Sequence, residues 1–497
     1  MQLTNSETNA PRSPIHGKIR LSVLVAMIAL ADFLFFAQAP GLNLFLMPIA
    51  LTVAVLLSAT RPPRPIAAAA YLGFSALAAA PLLEAPTLSG LILAMTAVIL
   101  VALANAKLLP KTPSAIPFVL LRFLPTFVIR LPQACHRIFA SHSGRTLFGT
   151  TVKSISGWLF PLGMGLVFLL LFSVANPLIE MGLSNIDLSF LLNLPDLGRM
   201  TLWLVTAITA WAIMRPRLIR RFRRRAPEKA EAGIKASTFL DHTALVRCLS
   251  VFNLLFAMQT LLDLMYLWGG AELPAGMSHA EYAHRGAYPL VATALLAAAF
   301  VLIAMRRGGP GDHSRLIRIL VIAWILQNVL LCLSSILRLD LYVGTYSLTG
   351  LRIAAGIWMG LVAAGLTLIL LRIALRRSNQ WLISMNLVTL ATVLYLCACF
   401  DFSGFIARFN VENSLRPEHQ GEPLDIYYLA SLGPSAIAAF DLYLASLPAD
   451  AVERARVECK KQELVDRFVE RSRDWRSWSY RQHRMETYLQ STALIER

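Results

Sequence analysis

Charge is what this sequence has least of. Only 15% of its 497 residues are Asp, Glu, Lys or Arg, where an ordinary soluble domain carries roughly 25%. Acidic residues are the scarcer sign, 29 against 46 basic ones, which leaves a formal net charge of +17. Cysteine is sparse as well: six residues at odd spacings, with no CxxC pair beside a His pair, give neither a structural zinc site nor a disulfide framework. The phosphate-cradling GxxxxGK[ST], the GxSxG elbow and HExxH are all missing, so an ATP-driven machine or a conventional hydrolase has no local support. What the chain has instead is apolar surface, 56% of residues, too much for a soluble protein and far too much for a disordered one. The remaining class is a polytopic membrane protein.

A spanning helix needs about 20 mostly apolar residues to cross about 30 Å of hydrocarbon. Eleven runs qualify: 19–38, 41–59, 66–83, 87–108, 151–175, 200–214, 246–268, 287–305, 316–337, 350–371 and 381–400. They are continuous rather than alternating, and backbone groups in lipid must pair internally, so the expectation is an all-α transmembrane bundle and not a barrel. The first run resembles a signal peptide, with Arg12, Lys18 and Arg20 before it and Ala37-Gln38-Ala39 at its end. Asp32 interrupts it and Pro40 follows the would-be cut, so it reads as a retained helix. The organisation expected is a cytoplasmic N-terminus over 1–18, a four-span bundle over 19–108, an interfacial segment over 109–150, a seven-span bundle over 151–400, and a periplasmic helical tail over 401–497. The seven-span part includes a basic loop at 215–245 and an external loop at 269–286.

Sidedness follows from the basic residues. The N-terminus and every second loop after it hold 29 of them, the intervening loops only Arg199, Arg285, Arg338 and Arg352, and the tail the remaining 13. Basic loops stay in the cytosol. This predicts a bacterial inner-membrane protein with its N-terminus inside and, after an odd number of spans, its tail in the periplasm. The densest run, from Arg215 to Arg225, then faces anionic headgroups, each cation contributing about 1 kcal/mol; no nucleic-acid-binding fold accompanies it. Between spans four and five, Pro117, Pro125 and Pro132 break residues 113–145 into short amphipathic helices, with Arg122, Arg130 and Arg137 on one face. They read as a collar in the inner interface.

Ionisable groups inside spans are expensive, and each is a functional candidate. Asp32, Gln259, Asp263, Arg338, Asp340, Arg352 and Asp401 all fall toward the outer half under this topology. They define a candidate outer-facing polar cavity or, equally, a set of helix-fixing pairs. The external loop offers a second candidate site. Ser278 and Glu281 form a capping box, which brings Glu281, His284 and Arg285 onto neighbouring positions of one turn. Glu-x-x-His can ligate metal, but without a partner segment the pattern reads as a salt-bridged cap, and no metal or cofactor is expected.

The same loop carries a resemblance. Tyr266-Leu-Trp-Gly-Gly and Ala280-Glu-Tyr-Ala-His284-Arg-Gly286, with Phe409-Asn-Val-Glu412 and Asp425-Ile-Tyr-Tyr-Leu-Ala-Ser-Leu-Gly433, resemble a bacterial membrane family known as domain of unknown function four-one-seven-three, across roughly residues 240–445. In the family Arg is common at the position of His284 and Phe at that of Trp268. The resemblance implies an integral membrane protein and supplies no activity.

The tail is a different material. Asp450 and Glu453 open a charged helix expected to reach about 472, with Val452, Leu464, Val465, Phe468 and Val469 as its apolar stripe. Trp475, Trp478 and Tyr480 interleave with Arg473, Arg476 and Arg481, a composition that suits either a protein-docking face or packing at headgroup level. Residues 424–447 are apolar enough for a twelfth span, but Asp425, Pro434 and Asp441 favour two short helices outside the lipid. Three functions remain: solute or ion transport through Asp32, Asp263, Asp340 and Arg352; an envelope scaffold or sensory partner acting through the tail and external loop; and, with least support, a lipid-modifying enzyme using Glu281, His284 and Asp401.

Overall fold

A computed structural model describes residues 14–110, 112–127, 197–216, 242–269, 296, 314–417, 422–448, 452–470 and 474–492. All regular structure among these residues is helical. The expected runs at 151–175 and 287–305, the dense basic run, the external loop, Cys135 and most of 113–145 lie outside them. Each of the nine other runs coincides with a helix. In chain order these are α1 (Pro14–Phe35), α2 (Leu42–Leu57), α3 (Pro65–Ala79) continued by the one-turn α4 (Pro81–Glu84), α5 (Leu88–Asn105), α7 (Leu197–Met214), α8 (His242–Asp263), α9 (Arg315–Tyr346), α10 (Gly350–Ala374) and α11 (Asn379–Cys399). A short α6 (Ile116–Phe123) follows α5. Six of the helices, α5 and α7 to α11, are long and apolar enough to cross a membrane. The two shortest, α2 and α3, have 16 and 15 residues.

The chain divides into two compact units, Met1–Phe222 with Ser472–Gln482, and Arg223–Arg471 with His483–Arg497. In the first, Asn43 builds the α1–α2 turn. Fully buried, its amide donates to the carbonyls of Leu34 and Ala39, both at 3.0 Å, and its oxygen accepts from the backbone N–H of Gly41 and Leu44, both at 2.8 Å. The α2–α3 pair is pinned in the same way, Thr52 Oγ1 to Ser75 Oγ at 2.8 Å. Leu44, Phe45, Ala79, Leu82, Leu91 and Ala94 pack one end of this unit. Leu24, Met27, Val55, Ala102, Ala210 and Met214 pack further toward the other. Alanine at so many contact positions lets backbones approach closely, which is how helices gain packing energy in lipid. Helix α6 presents Phe123 to Ile99 and Leu103 of α5, while Phe118, Leu121 and Arg122 face outward. Helix α6 is thus amphipathic.

In the second unit α8, α9, α10 and α11 share a core of Leu249, Ile317, Val321, Trp324, Leu366, Ile369 and Leu382. Beyond α11 come α12 (Phe402–Ser414), α13 (Ile426–Ser431), α14 (Ile437–Ser446) and α15 (Val452–Val469). They gather around Val411, Leu429, Phe440, Val457, Leu464 and Val465, with Leu489 of α16 (Tyr480–Ser491). Residues 424–447 are thus two short helices. The break falls at Gly433, whose φ of 79° suits a residue without Cβ, and at Pro434, which starts a one-turn 3₁₀ segment. Val343, Leu348 and Ile406 join this cap to the α9–α10 turn.

Candidate functional site

Two polar clusters occupy the helices. In the first unit Asp32, late in α1, meets Arg199, early in α7. Arg199 grips it with both prongs, Nε to Oδ1 at 2.7 Å and Nη2 to Oδ2 at 2.6 Å, and Trp203 Nε1 donates to Oδ1 at 2.8 Å. The guanidinium also lies 4.4 Å from the Phe36 ring centroid. Both carboxylate oxygens are therefore loaded, and the group is a clasp between two antiparallel helices. Position and charge pairing follow from α7 running opposite to α1: its C-terminal Met214 lies by Ser58, 3.0 Å from Sδ to Oγ, and Arg20 Nε donates to the Ser58 carbonyl at 3.1 Å.

In the second unit Asp263, at the end of α8, pairs with Arg338 of α9. The two side chains are only 1% and 3% exposed. Gln259, one turn before Asp263, donates to the same Oδ1 at 3.0 Å. Oδ2 is buried with no hydrogen-bond partner among the described residues. A π-turn, Leu264–Trp268, continues α8 and carries the Trp268 indole to Ser334 Oγ at 3.3 Å. Of the seven residues expected in the polar cavity, Gln259, Asp263 and Arg338 are brought together. Asp32 belongs to the first unit and has its own partners. Asp340 is exposed on α9. Arg352 donates to the carbonyls of Tyr346, at 2.6 Å, and Ser347, and sits 4.6 Å from the Tyr342 ring, where it closes the end of α9. Asp401 caps α12 by accepting from the Gly404 N–H at 3.2 Å. Glu281, His284 and Arg285 lie outside the described residues. Among the described residues no group of three or more His, Cys, Asp or Glu is arranged to hold a metal.

Sequence reasoning counted Arg199 as a rare external arginine without pairing it to Asp32, and it missed Trp203, Asn43 and Ser334. The signal for Arg199 was its isolation: a lone cation at the outer end of a span needs an anion. No local pattern marks Trp203 and Ser334, because each acts through a contact distant in sequence, whereas Asn43 acts within its own turn.

The aromatic tail segment also has a place. Residues 474–482 belong to the first unit. Arg476 donates to the Phe33 carbonyl at 2.5 Å and lies 5.0 Å from the Phe33 ring. Trp475 is 6.3 Å from the same ring, and Arg481 approaches Glu84 at 3.5 Å. A Cβ on Gly41 would overlap the backbone of Ser477. This strap is held by Asp474, which accepts from the side chain and backbone N–H of Arg476, at 2.6 to 2.9 Å; these bonds bring the Asp474 carboxyl down to about 2.

A family model described as Domain of unknown function (DUF4153) matches residues 66–443. This corrects the four-one-seven-three resemblance. The short blocks that suggested it all lie inside the matched range, and a few residues in a hydropathic background do not discriminate between families. No curated protein and no solved structure matches the chain.

Proposed function

The chain belongs to the DUF4153 family, and since that membership carries no activity, we propose a function from the chain's own geometry: an eleven-span inner-membrane protein that moves a small solute or ion past the buried Asp263–Arg338 pair. Helix direction supports the count independently of hydropathy. In the first unit α2 and α5 run the same way, since Leu44 and Leu91 share one end while Val55 and Ala102 pack further along. Helix α6 lies by the end of α5, but α7 begins at the opposite end, beside Asp32. The chain between Phe127 and Leu197 therefore passes from one end to the other. In the second unit α8 and α9 are parallel: Asn253 donates to the Leu320 carbonyl at 3.0 Å, Phe252 stacks on Trp324 at 5.0 Å, and Asp263 meets Arg338. Parallel neighbours require a return between Trp268 and Ser314. Each unit thus calls for one crossing besides its described helices, making six in the first and five in the second, which supports the count of eleven.

The ends of the helices differ in charge in the sense the positive-inside rule requires. Arg20, Arg61, Arg64, Lys107 and Arg215 flank one end of the first unit; Arg315, Arg318, Arg372, Arg376 and Arg377 flank one end of the second. These ends would contact anionic headgroups in the cytosolic leaflet. The strap and the cap lie at the opposite ends, and so in the periplasm.

The observation that carries the transport reading is the half-loaded carboxylate. Asp32 has both oxygens engaged, as a structural clasp should. Asp263 is more deeply buried, yet Arg338 and Gln259 crowd one oxygen and leave the other without a partner among the described residues. Asp263→Asn and Arg338→Gln are each expected to abolish complementation of a deletion phenotype, and the double variant, which strands no buried charge and so accumulates better than either single one, is expected to stay inactive. Full complementation by both variants would remove the transport reading. A scaffold role has one observation in its favour, the exposed Tyr427, Trp475, Trp478 and Tyr480 on the cap and strap. It predicts loss of complementation from Tyr427→Ala or Trp478→Ala with Asp263 intact.

A further inference from the structure

The facing stripes of α8 and α9 change character at one level. On α8 the stripe is Leu245, Leu249, Phe252, Phe256, Gln259, Asp263; on α9 it is Ile317, Val321, Trp324, Asn328, Leu331, Ser335, Arg338. Both keep alternating steps of four and three residues, the spacing that holds one face of a helix toward a neighbour. The inner half is apolar and closed by rings, with Trp324 stacked on Phe252 at 5.0 Å and edge-on to Phe256 at 5.7 Å. One turn further out the stripe becomes polar on both helices, and it stays largely so to Asp263 and Arg338.

Four oxygens on these two helices are buried without a hydrogen-bond partner among the described residues: Thr260 Oγ1, Asp263 Oδ2, Gln327 Oε1 and Asn328 Oδ1. Asn328 is fully buried, and its amide is already committed to the Trp324 carbonyl at 2.8 Å. Buried acceptors are normally matched with donors. Asp263 Oδ2, Gln327 Oε1 and Asn328 Oδ1 can only accept, so whatever satisfies them supplies hydrogens, while the Thr260 hydroxyl can take either part. Asp263 and Arg338 neutralise each other, and a further ion would bring an uncompensated charge into the seam.

We propose that the α8–α9 seam is the outer half of a solute path, which hydrates from the periplasmic side down to Asn328 and admits small neutral hydrogen-bond donors, water included, while the Trp324 cluster seals the inner half. This rests on the transport reading and specifies its route and its class of solute. Asn328 is ten positions from Arg338, and at 1.5 Å per residue the hydrated half extends about 15 Å, half the thickness of the hydrocarbon.

The test is thiol accessibility in the full-length chain in spheroplasts, with the six native cysteines replaced. A membrane-impermeant, water-soluble thiol reagent is added outside to Ser335→Cys, Asn328→Cys and Val321→Cys. A thiol reacts only where water lets it ionise, so the first two should react on the order of tenfold faster than the third. Ser335→Cys exchanges one chalcogen for another and carries the test if Asn328→Cys fails to accumulate. Equal, background labelling at 335, 328 and 321, or labelling only from the cytosolic side, overturns the inference. An unlabelled seam with an inactive Asp263→Asn refutes the route and leaves the transport reading standing. A labelled seam with a fully active Asp263→Asn supports the hydrated seam and refutes transport.

Discussion

Single side chains decide where these helices turn and pair. Asn43 is the clearest case, because all its hydrogen bonds go to backbone groups of one turn and it has no access to water. Replacing it with Ala strands several buried backbone groups. The expected cost is about 2–4 kcal/mol at about 1 kcal/mol or more for each, read as a lower thermal aggregation temperature of the purified protein. Asp263 and Arg338 are coupled more tightly. Removing either alone leaves an unpaired buried charge, a loss of about 3–5 kcal/mol, and a double-mutant cycle with Asp263→Asn and Arg338→Gln should give a double variant more stable than the single effects would sum to. In the cap, Tyr488 donates to Asp441 Oδ2 at 2.7 Å, and Lys461 holds Oδ1 at 2.5 Å. Burial, and then the Asp441 carboxylate, push the Tyr488 phenol up to about 12. A raised folded value means that this contribution to stability is complete below about 10, the ordinary tyrosine value, and is lost as pH rises through about 12. Tyr488→Phe should delete one tyrosinate step near pH 12 from an ultraviolet titration and leave the rest of the curve unchanged. Asp474 has the opposite sign: its contribution to the strap is present above the ordinary aspartate range and fades only as pH falls toward about 2. The Asp474–Arg476 bonds therefore persist across physiological pH.

At the scale of elements, the apolar runs were legible because a spanning helix needs little more than length and hydropathy. The runs on described residues became helices with most ends within a few residues of expectation, although α9 continues to Tyr346, nine residues past the expected 337. The 424–447 stretch split at Pro434, one of the three residues that argued for it. The charged tail helix ends at Val469, before the expected 472, and its buried stripe uses Val457 beside Leu464 and Val465, a residue hidden among Arg454, Arg456 and Glu458. The candidate site was only partly legible. Gln259 and Asp263 could be paired from their spacing of four on one helix, but Arg338 is 75 residues away from Asp263, and no spacing rule reaches that far. Arg352 and Asp401 looked like pathway charges and instead close helix ends, because a polar residue next to a terminus satisfies backbone groups first. Gly433 provides a test of the split: Gly433→Ala puts a Cβ at φ 79° and should cost about 1 kcal/mol or somewhat more, seen as a lower unfolding midpoint with transmembrane helix content unchanged.

For the whole molecule, the proposed eleven crossings give each unit one crossing besides its described helices, and each unit carries a cluster of basic residues at one end of its own helices. The strap at 474–482 gives the first unit a local reporter, since it contacts Phe33 and Glu84. Arg476→Ala, or Gly41→Ala, which drives a methyl into the Ser477 backbone, should release the strap and raise proteolysis within 474–482 by protease added to the periplasmic side of spheroplasts. The most direct measurement of the account is a pair of topology reporters fused after Ser491. Eleven crossings with the amino end inside predict an active periplasmic phosphatase and a dark cytosolic fluorophore at that position. A dark phosphatase with a bright fluorophore would mean an even number of crossings, and the outer location of the cap, the strap and the polar half of the α8–α9 seam would be wrong together.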